Sequence, residues 1–188
     1  MIRRTFLLTL GLLAFLPLGA RAEAPLKVVA TTGMIADAAR QVGGDLVDVR
    51  GLMGPGVDPH AYRQTRTDIV AMTRADLVLW HGLYLEAQMG GFFHDLERKR
   101  TVVAVAEGID KSNLIAHDTY DNKYDPHVWM TPVLWRDVVI EVQKALTAAR
   151  PGSAEVFATN AQSHLADIDR LIAYAETTLA AVPDNNKV

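Results

Sequence analysis

Short apolar runs alternate with stretches of helical periodicity along residues 26–109. Runs rich in apolar and β-branched residues predict strands, and apolar positions recurring every three to four residues predict helices. The predicted strands are LKVVATT (26–32), LVDVRGLM (46–53), DLVLW (76–80) and TVVAVAEGI (101–109). The predicted helices are MIADAARQVGG (34–44), TRTDIVAMTRA (65–75) and LYLEAQMGGFFHDLERK (83–99), the last interrupted at Gly90 and Gly91. This alternation predicts an α/β fold, a parallel sheet with helices on both faces.

The remainder of the chain is predicted to be a polar loop followed by two helices. An aspartate-rich loop covers residues 111–129, and the helix at 131–149 has Thr131 as its cap and Pro132 in its first turn. A long helix then runs through residues 151–183. Its apolar stripe predicts one face buried along most of its length: Phe157, Ala161, Leu165, Ile168, Ile172, Ala175 and Leu179.

The first 22 residues have the features of a signal peptide. Arg3 and Arg4 precede an apolar run too short to span a bilayer, and the run is followed by the small-x-small segment ARA ending at Ala22. Ordinary secretion is favoured over twin-arginine export because the run is strongly apolar. With no cysteine, the chain has neither a disulfide framework nor a lipidated cysteine. We therefore expect a periplasmic protein in a Gram-negative source.

Net charge gives no indication of a polyanionic partner. The whole chain carries −3, and removing residues 1–22 with their three arginines leaves −6. We expect no nucleic-acid binding, because the chain is mildly acidic. We expect no stable membrane insertion, because no segment after residue 22 has an apolar run long enough to span a bilayer. We expect a monomer.

Two D-P-H triplets are the main candidates for chemistry. The composition predicts roughly 0.02 such triplets by chance, yet they occur at residues 58–60 and 125–127. His60 follows the second predicted strand and His127 the fourth, so both can reach the carboxyl edge of one sheet, where α/β proteins bind ligands. Imidazole nitrogens suit zinc, manganese and other transition metals, although two surface-loop histidines are the plainer alternative.

The neighbours of these triplets have simpler interpretations. Asp58 and Asp125 either open turns or accept a hydrogen bond from an imidazole that binds metal. The aromatic rings two positions after each histidine, Tyr62 and Trp129, are expected to pack as walls.

The remaining histidines are weaker candidates. His81 is interpreted as a hydrogen-bonded structural residue, and His94 and His164 as solvent-facing or capping groups on helices. His117 lies in a solvated acidic loop without the EF-hand spacing. The chain also lacks G-x-S-x-G, P-loop and H-E-x-x-H motifs, so no enzymatic activity is expected.

Three segments in order, GLMGPGVDPHAY, ADLVLWHGLYLE and DPHVWMTPVLW, resemble the TroA-like solute-binding proteins of bacterial ABC transporters for zinc and manganese. The similarity extends from about residue 27 onward. It implies a two-lobe protein that binds one metal ion in the cleft through four side chains. His60 and His127 match the two ligands of the first lobe. A His or Glu and an Asp of the second lobe would supply the others.

The resemblance implies a division of the chain. Residues 23–152 would form the N-terminal metal-binding lobe, 153–182 the long inter-lobe helix, and 183–188 the start of a C-terminal lobe that this sequence lacks. The His-rich insertion of many zinc-specific members is absent here. Metal preference stays open, because a histidine as third ligand favours zinc and a carboxylate favours manganese.

The favoured hypothesis is periplasmic capture of Zn²⁺ or Mn²⁺ for an inner-membrane ABC permease. Two alternatives remain open: an adhesion or interaction protein with a structural metal, and a secreted metal-dependent hydrolase.

Overall fold

A computed structural model describes residues 23–182. The predicted signal peptide (1–22) and the predicted start of a second lobe (183–188) lie outside the described residues. Four parallel strands form one sheet in the order β2-β1-β3-β4. The strands are β1 (Leu26–Ala30), β2 (Val47–Gly51), β3 (Leu77–Trp80) and β4 (Thr101–Ala104). The helices are α1 (Gly33–Gly43), α2 (Arg66–Arg74), α3 (Gly90–Leu96), α4 (Pro132–Ala149) and α5 (Ala154–Ala180).

Alternate residues of the strands enter two separate apolar cores. Val28 and Leu79 face the larger core, where α1 and α4 pack on the sheet and α5 packs against these two helices. Val29 and Val78 face the smaller core, formed with α2 and α3. Because successive strand side chains point to opposite faces, both faces of the sheet are covered. The predicted parallel sheet with helices on both faces is confirmed.

The helix predicted over residues 83–99 is wrong in its first half. Residues 83–89 form turns, and α3 begins only at Gly90, one of the two glycines predicted to interrupt it. Gly82, Leu83 and Tyr84 have φ of 84°, 49° and 69°, which no α-helix contains. A Cβ on Gly82 would lie 2.8 Å from Glu107 Cγ, so glycine is required at this turn.

Two other predicted elements differ from the structure. The fourth strand ends at Ala104, after which residues 105–108 form a 3-10 turn instead of continuing to 109. Thr131 is the N-cap residue of α4 as predicted, but its side chain makes no capping hydrogen bond. Pro132 does occupy the first turn of the helix, where its missing N–H leaves no bond unmade.

Helix α5 packs on the rest of the molecule mainly through its first half. Phe157, Ala161 and Ile168 are buried, whereas Leu179 near the end of the helix is 48% exposed. The predicted apolar stripe is therefore buried over a shorter length than expected. None of the helices within residues 23–182 combines the length and apolar character needed to cross a membrane.

Candidate metal centre

The loops that carry the two D-P-H triplets both leave the carboxyl edge of the sheet. One loop follows β2 and the other follows β4, on opposite edges of the sheet order. In each triplet the aspartate Oδ1 accepts the backbone N–H of the histidine two residues later, at 2.9 Å for Asp58 and 2.9 Å for Asp125. The two local turns are thus built in the same way, each with a proline at its centre that restricts the backbone.

The two exposed imidazoles meet nitrogen to nitrogen. His60 Nε2 lies 3.4 Å from His127 Nε2, and the ring planes are inclined by 53°. Two nitrogens that each bind a tetrahedral zinc at about 2.05 Å are separated by about 3.3 Å. The pair therefore has the spacing that a single shared metal ion requires.

The His127 ring is oriented by a carboxylate. Asp125 Oδ1 lies 2.5 Å from Nδ1 of His127. The backbone N–H of His127, followed by its ring, lowers the pKa of Asp125, so the carboxyl is ionised and accepts the Nδ1 proton. A neutral ring held in this way presents the lone pair of Nε2 toward His60. Asp125 accepts a hydrogen bond from the imidazole, which was one of the two interpretations given for it from the sequence. Among residues 23–182, Asp58 bonds only to the backbone of its histidine.

The His60 loop is fixed by a hydrogen bond from its aromatic residue. Tyr62 Oη donates to the buried Asp68 Oδ2 at 2.7 Å, and Asp68 also belongs to the capping box of α2 with Thr65. Burial and the Asp68 carboxylate raise the pKa of Tyr62 to about 12, so the phenol stays protonated and remains a donor. Tyr62 is a half-buried packing residue, as predicted, with an additional anchoring bond.

Apolar surface borders the histidine pair on two sides. A groove of about 300 Å³ lies between the start of α1 and the first triplet loop, with Met34, Met53, Pro59 and Trp129 in its lining. A second groove of about 300 Å³ includes His127, Met130 and Leu134. Trp129 is half-buried and meets the His127 ring edge-on at 5.2 Å, which agrees with the wall predicted for it.

The other four histidines lie outside the pair, and the interpretation from the sequence is wrong for one of them, His164. His81 is fully buried and its Nε2 lies 2.7 Å from the Pro126 carbonyl oxygen, which confirms a hydrogen-bonded histidine. His94 is 73% exposed on α3. His164 is half-buried, with no hydrogen-bond partner for Nε2 among residues 23–182, so the predicted solvent-facing or capping role is wrong for it. His117 accepts backbone bonds from Thr119 and Tyr120 inside the polar loop.

The sequence reasoning missed a buried carboxyl beside this edge of the sheet. Glu86 is fully buried and accepts hydrogen bonds from Thr31 Oγ1 at 2.6 Å and from the backbone N–H groups of His81 and Gly82. Burial raises the pKa of the Glu86 carboxyl. The sequence signal for this buried carboxyl was an acidic residue within the apolar segment LYLEA. The helix predicted for this segment assigned no role to that residue.

Within residues 23–182 no cluster of three or more His, Cys, Asp or Glu side chains is arranged to hold a metal ion. The described part of the chain thus offers a pair of imidazoles with one orienting carboxylate. A parallel sheet covered by helices, with this imidazole pair at its carboxyl edge, defines the class of protein. It is an α/β binding protein with a candidate transition-metal site.

The chain belongs to the family described as zinc-uptake complex component A, periplasmic, whose model matches residues 28–188. This confirms the resemblance found in the sequence. The zinc-binding protein TroA of Treponema pallidum is 38% identical over 186 residues, covering 96% of this chain and 60% of that relative. The manganese-binding lipoprotein MntA of Bacillus subtilis is 38% identical over 170 residues, covering 90% and 55%. The iron-binding protein YfeA of Yersinia pestis is 34% identical over 157 residues, covering 84% and 50%.

Solved structures show the same fold. The periplasmic zinc-binding protein TroA of Treponema pallidum superposes with a TM-score of 0.81 at 39% identity, over 85% of this chain and 57% of that one. Zn(II)-bound AdcA of Streptococcus pneumoniae gives 0.72 at 26% identity, over 81% and 32%. This chain spans 50% to 60% of the length of the three relatives named above.

Proposed function

We propose that this protein belongs to a system that captures Zn²⁺ or Mn²⁺ outside the cytoplasmic membrane and delivers the ion to an ABC permease. The observation that carries the proposal is the 3.4 Å separation of His60 Nε2 and His127 Nε2 on two loops of the same sheet edge. Relatives named for zinc and for manganese binding support both metals as cargo. The work is reversible binding and transfer, with no chemical conversion of a substrate.

The remaining parts of the proposal concern the layout of the chain. Residues 1–22 would direct export and be removed, giving a periplasmic protein that acts as a monomer. Residues 23–152 would form the lobe that supplies the two imidazoles, and residues 153–182 the helix that leads toward a second lobe. Ligands from that lobe would complete the coordination of the metal and decide between zinc and manganese.

Substitution of each histidine tests the proposal. Zn²⁺ and Mn²⁺ affinity of the purified protein is measured by competition with a chromogenic chelator for wild type, His60→Ala and His127→Ala. Each substitution removes a metal-binding nitrogen, so affinity for the bound metal should fall by more than the ~10–100-fold caused by loss of an outer partner.

His94→Ala is the matched control, because this histidine is 73% exposed on α3 and outside the pair. The control should bind metal as wild type does. Wild-type affinity in both His60→Ala and His127→Ala would exclude the pair as the metal site. Delivery is tested separately, by metal uptake in cells that carry or lack the permease.

A further inference from the structure

His81 lies at the carboxyl edge of the sheet, directly after β3, and its side chain is fully buried. Nε2 lies 2.7 Å from the carbonyl oxygen of Pro126, the residue that precedes His127. A carbonyl oxygen can only accept, so Nε2 carries the proton and donates it. The histidine of one loop thereby holds the backbone of another, 45 residues later in the chain.

The Pro126 carbonyl accepts a second hydrogen bond, from the backbone N–H of Val128 at 2.8 Å. His127 lies between these two residues with φ −77° and ψ 39°, close to the geometry of an inverse γ-turn. The direction of the His127 side chain is therefore set by a turn whose closing oxygen is shared with His81. Rotation of the Pro126–His127 peptide would break both bonds at once.

His81 is itself held in place. Its backbone N–H donates to Glu86 Oε1 at 2.8 Å, and its carbonyl accepts from Ala106 N at 2.9 Å. Its ring meets the edge of Trp129 at 5.4 Å, and Trp129 meets His127. A donor whose backbone N–H and carbonyl are both hydrogen-bonded can impose its geometry on the loop that receives the bond.

The second ring nitrogen of His81 argues against a space-filling role. Nδ1 is buried and has no hydrogen-bond partner among residues 23–182. Burying an unsatisfied nitrogen costs stability that an apolar side chain of similar volume would not. The bond to Pro126 is what a histidine contributes here and a leucine cannot.

We propose that His81 is a positioning residue for metal capture: through the Pro126 carbonyl it fixes the turn that aims His127 Nε2 at His60. His81 is not a ligand in this arrangement, because its proton-bearing Nε2 is used by Pro126. The inference deepens the proposed function and rests on it, since the value of aiming His127 depends on His127 binding the metal.

The test compares His81→Gln with His81→Leu. The glutamine side-chain amide can place an N–H donor near the position of Nε2, whereas leucine fills the space without a donor. His81→Met provides a second apolar variant if His81→Leu does not fold. Phe157→Leu is the control for a general loss of stability, because Phe157 is buried on α5, in the core of the α1 and α4 face.

Two readouts are taken for every folded variant. The first is the ¹⁵N NMR spectrum of the His127 imidazole in metal-free protein, which reports the ring tautomer and its bond to Asp125. The second is Zn²⁺ affinity by chelator competition. We expect His81→Leu to shift the His127 signals and weaken zinc binding about 10–100-fold, as outer partners of ligands do. His81→Gln should restore both readouts, and Phe157→Leu should change neither.

Unchanged His127 signals and unchanged zinc affinity in the apolar variants would overturn the proposal. So would a folded His81→Gln that loses as much affinity as His81→Leu. Failure of the proposed function looks different: wild type and His127→Ala would then bind zinc equally. In that case the metal-free NMR comparison still decides whether His81 positions His127.

Discussion

At the level of single residues, the two D-P-H triplets differ in one hydrogen bond. Both aspartates close the same backbone turn, at 2.9 Å in each case. Asp125 also contacts the ring of its histidine at 2.5 Å, whereas the Asp58 carboxylate, within the described part of the chain, bonds only the backbone of His60. Two identical sequence motifs thus supply one imidazole oriented by a carboxylate and one that is oriented by its loop.

This difference predicts unequal effects of one substitution at two equivalent positions. Asp125→Asn keeps an oxygen for the backbone turn but removes the charge that holds the Nδ1 proton, so Zn²⁺ affinity should fall about 10–100-fold. Asp58→Asn keeps the turn and removes no ring contact, so its affinity should stay near wild type. Competition with a chromogenic chelator measures the Zn²⁺ affinity of both variants relative to wild type. Equal losses in the two variants would contradict the role assigned to Asp125.

His81 makes a second residue-level prediction, about acid stability. Burial lowers the pKa of His81 from 6.5 to about 4, so between these values the unfolded chain binds the proton and the folded protein does not. Lowering the pH through this window therefore favours unfolding. His81 alone should reduce the free energy of unfolding by about 3 kcal/mol between neutral pH and about pH 4.

Glu86 has the opposite effect on acid stability over overlapping pH values. Burial raises its pKa, so the folded protein binds the proton more tightly than the unfolded chain and gains stability as the pH falls. The nearby His127 ring adds to the lowering of the His81 pKa that burial causes. Urea unfolding gives the free energy of unfolding of metal-free wild type and His81→Gln across the pH range. The difference between the two proteins is the contribution of His81. The variant should lose less stability in acid than wild type. Parallel pH profiles for the two proteins would contradict the prediction.

At the level of elements, the sequence pattern predicted those strands and helices that have a regular pattern of apolar residues. The four strands are short runs of apolar and β-branched residues, and α1, α2 and α4 have apolar positions that recur every three to four residues. The turns at 83–89 could not be predicted this way, because LYLEA is a good helical sequence whose conformation is decided by Gly82, the left-handed Leu83 and the buried Glu86.

The candidate site shows the same division between local and long-range information. The triplets could be found in the sequence, since each is a local motif. The bond from His81 to Pro126 joins two loops that only the sheet brings together, so no local pattern contains it.

Helix α5 should contribute to stability unevenly along its length. Phe157 is fully buried in its first half, so Phe157→Ala should lower the free energy of unfolding by about 3–5 kcal/mol. Tyr174 is 69% exposed in the second half, and Tyr174→Ala should change it by less than about 0.5 kcal/mol. Urea unfolding of both variants without metal gives the comparison. A large effect at Tyr174 would mean that the second half of the helix is packed.

At the level of the whole molecule, metal binding should be coupled to folding. An ion that binds only the folded protein stabilises it, by about 2.7 kcal/mol when free Zn²⁺ is 100 times its dissociation constant. Urea unfolding with increasing zinc should therefore show rising stability for wild type and a flat response for His60→Ala and His127→Ala. Excess chelator should remove the gain. A zinc response that survives in both variants would place the ion elsewhere.

The positions of the two histidines on the chain have a mechanical consequence. They are 67 residues apart in sequence, on loops from opposite edges of the sheet order. A single ion held by both would act as a reversible cross-link that closes this segment, including β3, β4 and α3, into a ring. Arrival of the ion would then suppress local opening of the two loops, and its departure would release them together.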